Sequence, residues 1–122
     1  MNAVNWFEIP ANNIDRAMEF YKNILGYDLQ KTNMMGTDMA FFPGEVQNQG
    51  ATGAIIQGEG YEPSEKGSLV YFSAGEDLTP VLEKVEKAGG KVILPKTSIG
   101  EHGFIAHFMD CEGNRVALHS IG

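Results

Sequence analysis

Asn13-Ile14-Asp15-Arg16-Ala17-Met18-Glu19-Phe20-Tyr21, followed by Leu25-Gly26-Tyr27, is answered later in the chain by Asp77-Leu78-Thr79-Pro80-Val81-Leu82-Glu83-Lys84-Val85, followed by Gly89-Gly90-Lys91. Each block opens on a residue suited to cap a helix, carries apolar residues at helical spacing, and stops at glycine. Asn13 and Asp77 lie 64 positions apart, and so do Gly26 and Gly90. The strand-like stretches ahead of them, Trp6-Phe7-Glu8-Ile9-Pro10 and Leu69-Val70-Tyr71-Phe72-Ser73, are 63 apart, so the second copy holds one extra residue before its helix. The chain reads as one unit written twice.

Working outward, each copy predicts a strand, a helix and three further strands. In the first, Ile14, Ala17, Met18, Tyr21 and Leu25 form the apolar face, and strands are expected near Tyr27–Lys31, Met39–Phe42 and Ala51–Gln57, with a turn over Gly44–Gly50. In the second, which opens near Ser68–Ala74, Asp77 is the expected cap and Leu78, Val81, Leu82, Val85 and Ala88 the stripe. Pro80 sits in the first turn, where a missing N–H does no harm. Strands follow near Lys91–Pro95, Phe104–Met109 and Arg115–Ser120. Asp110-Cys111-Glu112-Gly113-Asn114 forms a turn in which both Gly113 and Asn114 tolerate positive φ. Residues 58–67 connect a first module of about 1–60 to a second of about 66–122, within one domain covering 1–122.

Side-chain alternation along the strands sorts their two faces. Phe7, Ile9, Val70, Phe72, Val116 and Leu118 are expected under the helices. Trp6, Glu8, Leu69, Tyr71, Arg115, Ala117 and His119 then point to the opposite face. The facing of His107 is ambiguous, because Ala106 and Phe108 compete for the same side.

Composition narrows the function classes. Nine Lys and Arg against 16 Asp and Glu give a formal charge of −7, and the basic residues are scattered singly, so nucleic acid is not an expected partner. One cysteine, Cys111, precludes an intrachain disulfide, and with no cation clearly lowering its pKa it is not expected to be a nucleophile. The first residues show no basic-then-apolar leader and no apolar run reaches membrane-spanning length, so the expectation is a cytoplasmic chain with no membrane partner. There is no Gly-x-Gly-x-x-Gly and no Gly-x-Ser-x-Gly, which leaves nucleotide cofactors and serine hydrolysis without support.

Phe7-Glu8-Ile9-Pro10, the helix through Ala17-Met18-Glu19-Phe20-Tyr21 with Leu25-Gly26-Tyr27, Gly89-Gly90-Lys91, and Asp110-Cys111-Glu112-Gly113-Asn114-Arg115 with Leu118-His119-Ser120, in this order and duplicated, resemble the vicinal oxygen chelate superfamily. That superfamily includes glyoxalase I, bleomycin-resistance proteins and extradiol dioxygenases. The resemblance implies an α+β fold: two βαβββ modules forming an open, cupped, eight-stranded mixed sheet, helices on its outer face, around a cleft. It also implies a homodimer. Members that do chemistry hold a divalent metal through His, Glu or Gln side chains from both modules. Carried over, the first-strand position falls on Trp6, its counterpart in module two on Leu69, and the last-strand position on Ala117. The strand Ala51–Gln57 offers no carboxylate or imidazole for the fourth. Indole, isobutyl and methyl groups are not donors, so no cofactor is expected and a divalent metal is disfavoured.

The expected cleft residues are Trp6, Glu8, Phe41, Leu69, Tyr71, His107, Ala117 and His119, with Met34, Met35 and Met39 as further candidates for apolar walls. Glu8 reads either as a base beside an indole or as a structural carboxylate paired with Arg115. His119 reads as a group that positions a ligand or moves a proton. A rebuilt metal site from Glu8, His107 and His119 needs three donors to converge. His102 looks like a loop residue. Two functions follow. The first is binding of a small organic molecule without the usual metal. The alternative is a glyoxalase-like lyase or isomerase, using a rearranged metal site or Glu8 and His119 as catalytic acid and base.

Overall fold

A computed structural model describes residues 3–44 and 50–122. Its elements follow the duplicated order. Strand β1 (Trp6–Pro10), helix α1 (Ile14–Leu25) and strands β2 (Gln30–Met34), β3 (Thr37–Phe41) and β4 (Thr52–Gln57) make the first module. Strand β5 (Tyr71–Ser73), helix α2 (Thr79–Val85) and strands β6 (Lys91–Ser98), β7 (Phe104–Met109) and β8 (Arg115–Ser120) make the second. A 3₁₀ turn, Gly100–His102, joins β6 to β7. The expected Gly44–Gly50 turn falls largely outside the described residues.

The eight strands divide into two four-stranded sheets rather than running as one, in the orders β1-β4-β3-β2 and β5-β8-β7-β6. The topologies are identical: β1 pairs parallel with β4 and β5 with β8, and every other ladder is antiparallel. Both β1 and β5 are edge strands with a single partner, and the space between them is the cleft. Phe7 and Phe72 meet edge-on across this seam, ring centroids 5.6 Å apart.

One core serves both modules. Ile9, Phe20, Tyr21, Phe42 and Ile55 from the first pack with Phe72, Leu78, Val85, Phe108, Val116 and Leu118 from the second. The buried face of α1 is wider than its sequence spacing suggests: Ile14, Ala17, Phe20, Tyr21 and Ile24 are buried, while Met18 and Leu25 flank them. The reason is that α1 lies against both sheets. Phe20 reaches Phe108 of β7, and Tyr21 touches both Phe42 and Phe72.

Local signals explain the ends of α1. The Asn13 side chain accepts from the Arg16 N–H at 3.1 Å, and Gly26 closes the helix at φ 76°. Remaining N-terminal amides are satisfied from elsewhere in the chain: Gln57 accepts from Ile14 N–H, and Glu112 accepts from Asn12 and Asn13 N–H at 2.8 Å each. The β7–β8 turn is thus a clamp on α1. Asp110 organises it, accepting from the Glu112 and Asn114 amides and from the buried Tyr21 hydroxyl at 2.7 Å. Burial, and the carboxylate of Asp110, hold the Tyr21 phenol well above its ordinary pKa. Gly113 takes positive φ as expected, but Asn114 does not; its side chain instead donates to the Pro10 carbonyl and accepts from Ser64 N–H.

Helix α2 is shorter. Asp77 accepts from Thr79 N–H at 2.9 Å, but it stands one residue outside the expected cap position, which Leu78 occupies. No described helix is long and apolar enough to cross a membrane.

Candidate functional site

Register fixes what faces the cleft. In the first sheet Glu8 lies opposite Ala54, which lies opposite Phe41. In the second, Tyr71 lies opposite Ala117, which lies opposite His107. The two rows are equivalent positions of the repeat, each a small residue on a central strand flanked by larger ones. Ala54 and Ala117 are both fully buried yet outside the helix-side core, because their larger neighbours close over them. Ala106 and Phe108 belong to that core, which settles His107 on the cleft side.

The first row is aromatic and acidic. Trp6 meets Phe41 edge-on at 5.8 Å, and its indole N–H donates to Glu8 Oε2 at 3.3 Å. Glu8 makes no ion pair with Arg115 among the described residues. The second row is a polar chain. Arg115 donates from Nε and Nη2 to His107 Nδ1 at 3.2 and 3.0 Å, and His107 Nε2 lies 3.1 Å from the Tyr71 hydroxyl. A guanidinium can only donate, so Nδ1 is the acceptor, the imidazole is neutral, and its proton sits on Nε2. Burial and the charge of Arg115 both lower the His107 pKa, in agreement with a neutral ring.

The cleft between β1 and β5 has a volume of about 750 Å³ and is lined by Trp6, Glu8, Leu69, Tyr71 and Ser73 at its mouth. Its inner wall is Phe7, Tyr27, Phe42 and Phe72. Sequence alternation places Phe7 and Phe72 under the helices. They also line the cleft, because two unpaired strand edges stand apart there. Leu69 reaches the cleft from the segment before β5. Phe41, His107 and Ala117 do not line it directly: Phe41 supports Trp6, His107 supports Tyr71, and Ala117 is the floor beneath that pair. Arg115 belongs to the arrangement through its bonds to His107, a role sequence spacing does not announce.

His119 sits in a neighbouring hollow of about 410 Å³ with Tyr71, Ser73, Ile99 and Ile105. Its Nε2–H donates to the His102 carbonyl at 2.7 Å, so the ring anchors the Gly100–His102 turn. Glu8 and His119 therefore line different hollows. Among the described residues no three His, Cys, Asp or Glu side chains come together as a metal site would require. Met34 and Met35 project into solvent at the β2–β3 hairpin, away from the cleft, while Met39 is half-buried in β3. Cys111 is half-buried, and burial and Glu112 push its thiol up to about 12, which suits an inert side chain.

A divalent metal of the vicinal oxygen chelate kind does not fit these residues. The repeat equivalence identifies Ala54 as the match of Ala117, and hence as the fourth position. Trp6, Ala54, Leu69 and Ala117 together supply no imidazole, carboxylate or amide oxygen.

Comparisons with known proteins agree with the architecture. A glyoxylase-like domain-containing protein of Didymella fabae is 32% identical over 120 residues, covering 94% of this chain and 91% of that one. The crystal structure of a glyoxylase/bleomycin resistance protein/dioxygenase domain from Frankia sp. EAN1pec superposes with a TM-score of 0.74 at 17% identity, covering 100% of this chain and 99% of that one. A glyoxalase I mutant from Zea mays superposes with a TM-score of 0.68 at 19% identity; 95% of this chain is covered, but only 45% of the maize chain, so the present protein spans less than half its length. The sequence profile matching residues 3–118 completes the case, and the chain belongs to the Glyoxalase/Bleomycin resistance protein/Dioxygenase superfamily.

Proposed function

We propose that this chain binds a small organic molecule in the cleft between β1 and β5, without the divalent metal used by catalytic vicinal oxygen chelate proteins. The observation that carries this reading is the side-chain set at the four donor positions. Trp6 and Leu69 convert two of them into apolar cleft wall, and Ala54 and Ala117 convert the others into covered floor. The cleft volume falls within the range typical of small-ligand sites, roughly 300–1,000 Å³. Its lining is largely aromatic and aliphatic, with few polar groups. The lyase reading has less support, because His119 lines the adjoining hollow rather than the cleft with Glu8, and its Nε2–H is already given to the His102 carbonyl.

Two measurements on the purified protein test this. Elemental analysis is expected to find no stoichiometric Ni, Zn, Fe or Mn. A thermal-shift screen of small aromatic and heteroaromatic molecules is expected to find stabilisers; a ligand at a hundred times its Kd adds about 2.7 kcal/mol. Trp6→Ala should abolish their effect. One bound metal per chain would overturn the metal-free reading, and a broad screen without any stabiliser would overturn the binding reading.

A further inference from the structure

The polar chain of the second module has a direction. Arg115 occupies the Nδ1 lone pair of His107, which commits the imidazole proton to Nε2, which in turn is shared with the oxygen of Tyr71. A hydroxyl that accepts one hydrogen bond keeps its own proton for another partner. Tyr71 makes no other side-chain hydrogen bond among the described residues, lines both the cleft and the adjoining hollow that holds His119, and is 46% exposed. The indole N–H on the opposite wall is already given to Glu8.

Building on the binding reading above, we infer that the cleft selects molecules bearing an uncharged, carbonyl-type oxygen on an apolar ring-sized body, with the Tyr71 hydroxyl donating to that oxygen. The aromatic residues Trp6, Phe7, Phe42 and Phe72 take the ring. Glu8 is the one charged side chain in the described lining of the cleft, which argues against an anion there. An adjoining pocket of about 150 Å³ shares Glu8, Ser68 and Val70 with the cleft and adds Glu62, Lys66 and Arg115, while Arg115 and His107 are absent from the cleft lining. Arg115 and His107 are therefore positioning residues: they aim the donor and do not touch the ligand.

Trp6 is the sole tryptophan, so its indole N–H is a single NMR signal at the cleft wall. Acetophenone, ethylbenzene and benzoate are titrated against that signal in the full chain. A neutral hydrogen bond corresponds to roughly a 3- to 10-fold gain, so acetophenone should bind that much tighter than ethylbenzene, although it is the less hydrophobic of the two. Tyr71→Phe should bring the ratio to about one, within the same order-of-magnitude reasoning. Imidazole nitrogen shifts should show His107 protonated at Nε2 and bare at Nδ1; Arg115→Met should lose that preference and reduce the acetophenone selectivity. Equal binding of ketone and hydrocarbon, selectivity that survives in Tyr71→Phe, or the opposite His107 tautomer would overturn the donor inference and leave the cleft reading intact. Preference for benzoate would overturn the choice of an uncharged ligand. If none of the three shifts the indole signal, the cleft reading falls as well.

Discussion

The two modules share a topology and differ at nearly every position that matters for chemistry. Glu8, Ala54 and Phe41 in the first sheet correspond to Tyr71, Ala117 and His107 in the second. The central alanines keep the geometry common, because a small residue lets the flanking side chains close across it. The flanking residues set the character: a carboxylate tied to an indole on one side, a directed donor chain on the other. The repeat is thus conserved as a scaffold within the chain, while each wall of the cleft is built separately.

The helix side shows the same principle as a trade of volumes. Phe7 lies over Gly53 in the first module, where Val70 and Val116 hold the equivalent places in the second. A Cβ at Gly53 would stand 2.2 Å from the Phe7 carbonyl oxygen and 2.7 Å from its ring. Gly53→Val, which makes the first module like the second, should therefore destabilise by about 3 kcal/mol or more. Phe7→Val in the same chain should recover part of that, with a coupling of at least ~1 kcal/mol in a double-mutant cycle read by urea unfolding. Additive losses would show that the two modules do not exchange volume at this pair.

The helices differ in how their first turns are held. The clamp on α1 is an inaccessible carboxylate with four donors, the Asn12 and Asn13 amides, Arg16 and the Cys111 thiol, whereas Asp77 before α2 is an exposed group bonded to Thr79 N–H and Lys96. Glu112→Ala strands two backbone amides and should cost about 2–3 kcal/mol, well above the loss from Asp77→Ala. Burial alone would raise the Glu112 pKa, but Arg16 and the Asn12 and Asn13 amides offset this and leave it lowered. A carboxyl lowered in the folded state contributes stability that is present above its unfolded value of about 4.5 and lost as pH falls through the folded value. Acid unfolding of wild type should therefore contain a component that Glu112→Gln lacks. The Asp77 carboxyl, lowered to about 2 chiefly by the Thr79 amide, contributes a second loss between its unfolded value of 3.8 and that point, and it should persist in Glu112→Gln.

Much of this arrangement was legible in the residues, and the illegible parts have definite causes. The element order, the two faces of β1 and β8, and the α1 caps follow from alternation, helical spacing and capping chemistry. Three things do not. The division into two sheets depends on whether β1 and β5 form a ladder, and an unpaired edge leaves no mark in side-chain periodicity. The facing of His107 was ambiguous because Ala, His and Phe in succession satisfy either parity. The clamp role of Asp110 and Glu112 involves partners about 90–100 positions away in sequence, such as Tyr21 and Asn12, beyond any local spacing rule. At the candidate site, strand facing alone is enough to bring Trp6, Glu8, Leu69 and Tyr71 to the cleft lining. The bond from Arg115 to His107 is not legible in this way, because facing does not say which side chains meet.

Filling one alanine and not the other separates the two cleft walls. Ala117→Val adds volume beneath Tyr71 and His107, whose rings meet edge-on at 5.8 Å, and should cost about 1–2 kcal/mol through overpacking. It should also break the bond between them, read as a change in the His107 imidazole shifts. Ala54→Val should have a similar stability cost while leaving His107 unchanged, since Trp6 and Glu8 bond to each other rather than across it. Were His107 to respond equally to both, the walls would not be independent.

The smallest effect concerns the β2–β3 and β6–β7 hairpins. The β2–β3 connection is two residues, Met35 and Gly36, both at positive φ (55° and 85°), as a type I′ turn requires. The β6–β7 connection is longer and is anchored by His119 through the His102 carbonyl. Met35 is fully exposed and bears the only positive φ among described non-glycine residues, a conformation that asparagine adopts more readily. Met35→Asn should therefore stabilise the chain by about 0.5 kcal/mol in urea unfolding with an unchanged m-value. Because no hydrogen bond among the described residues joins the tip of the first hairpin to the cleft, ligand selectivity should stay as it is. By contrast, His119→Ala removes the anchor of the second hairpin and should speed amide exchange through Gly100–Gly103. A first hairpin that altered cleft binding when stabilised would mean that its tip is coupled to the walls by contacts absent from this structure.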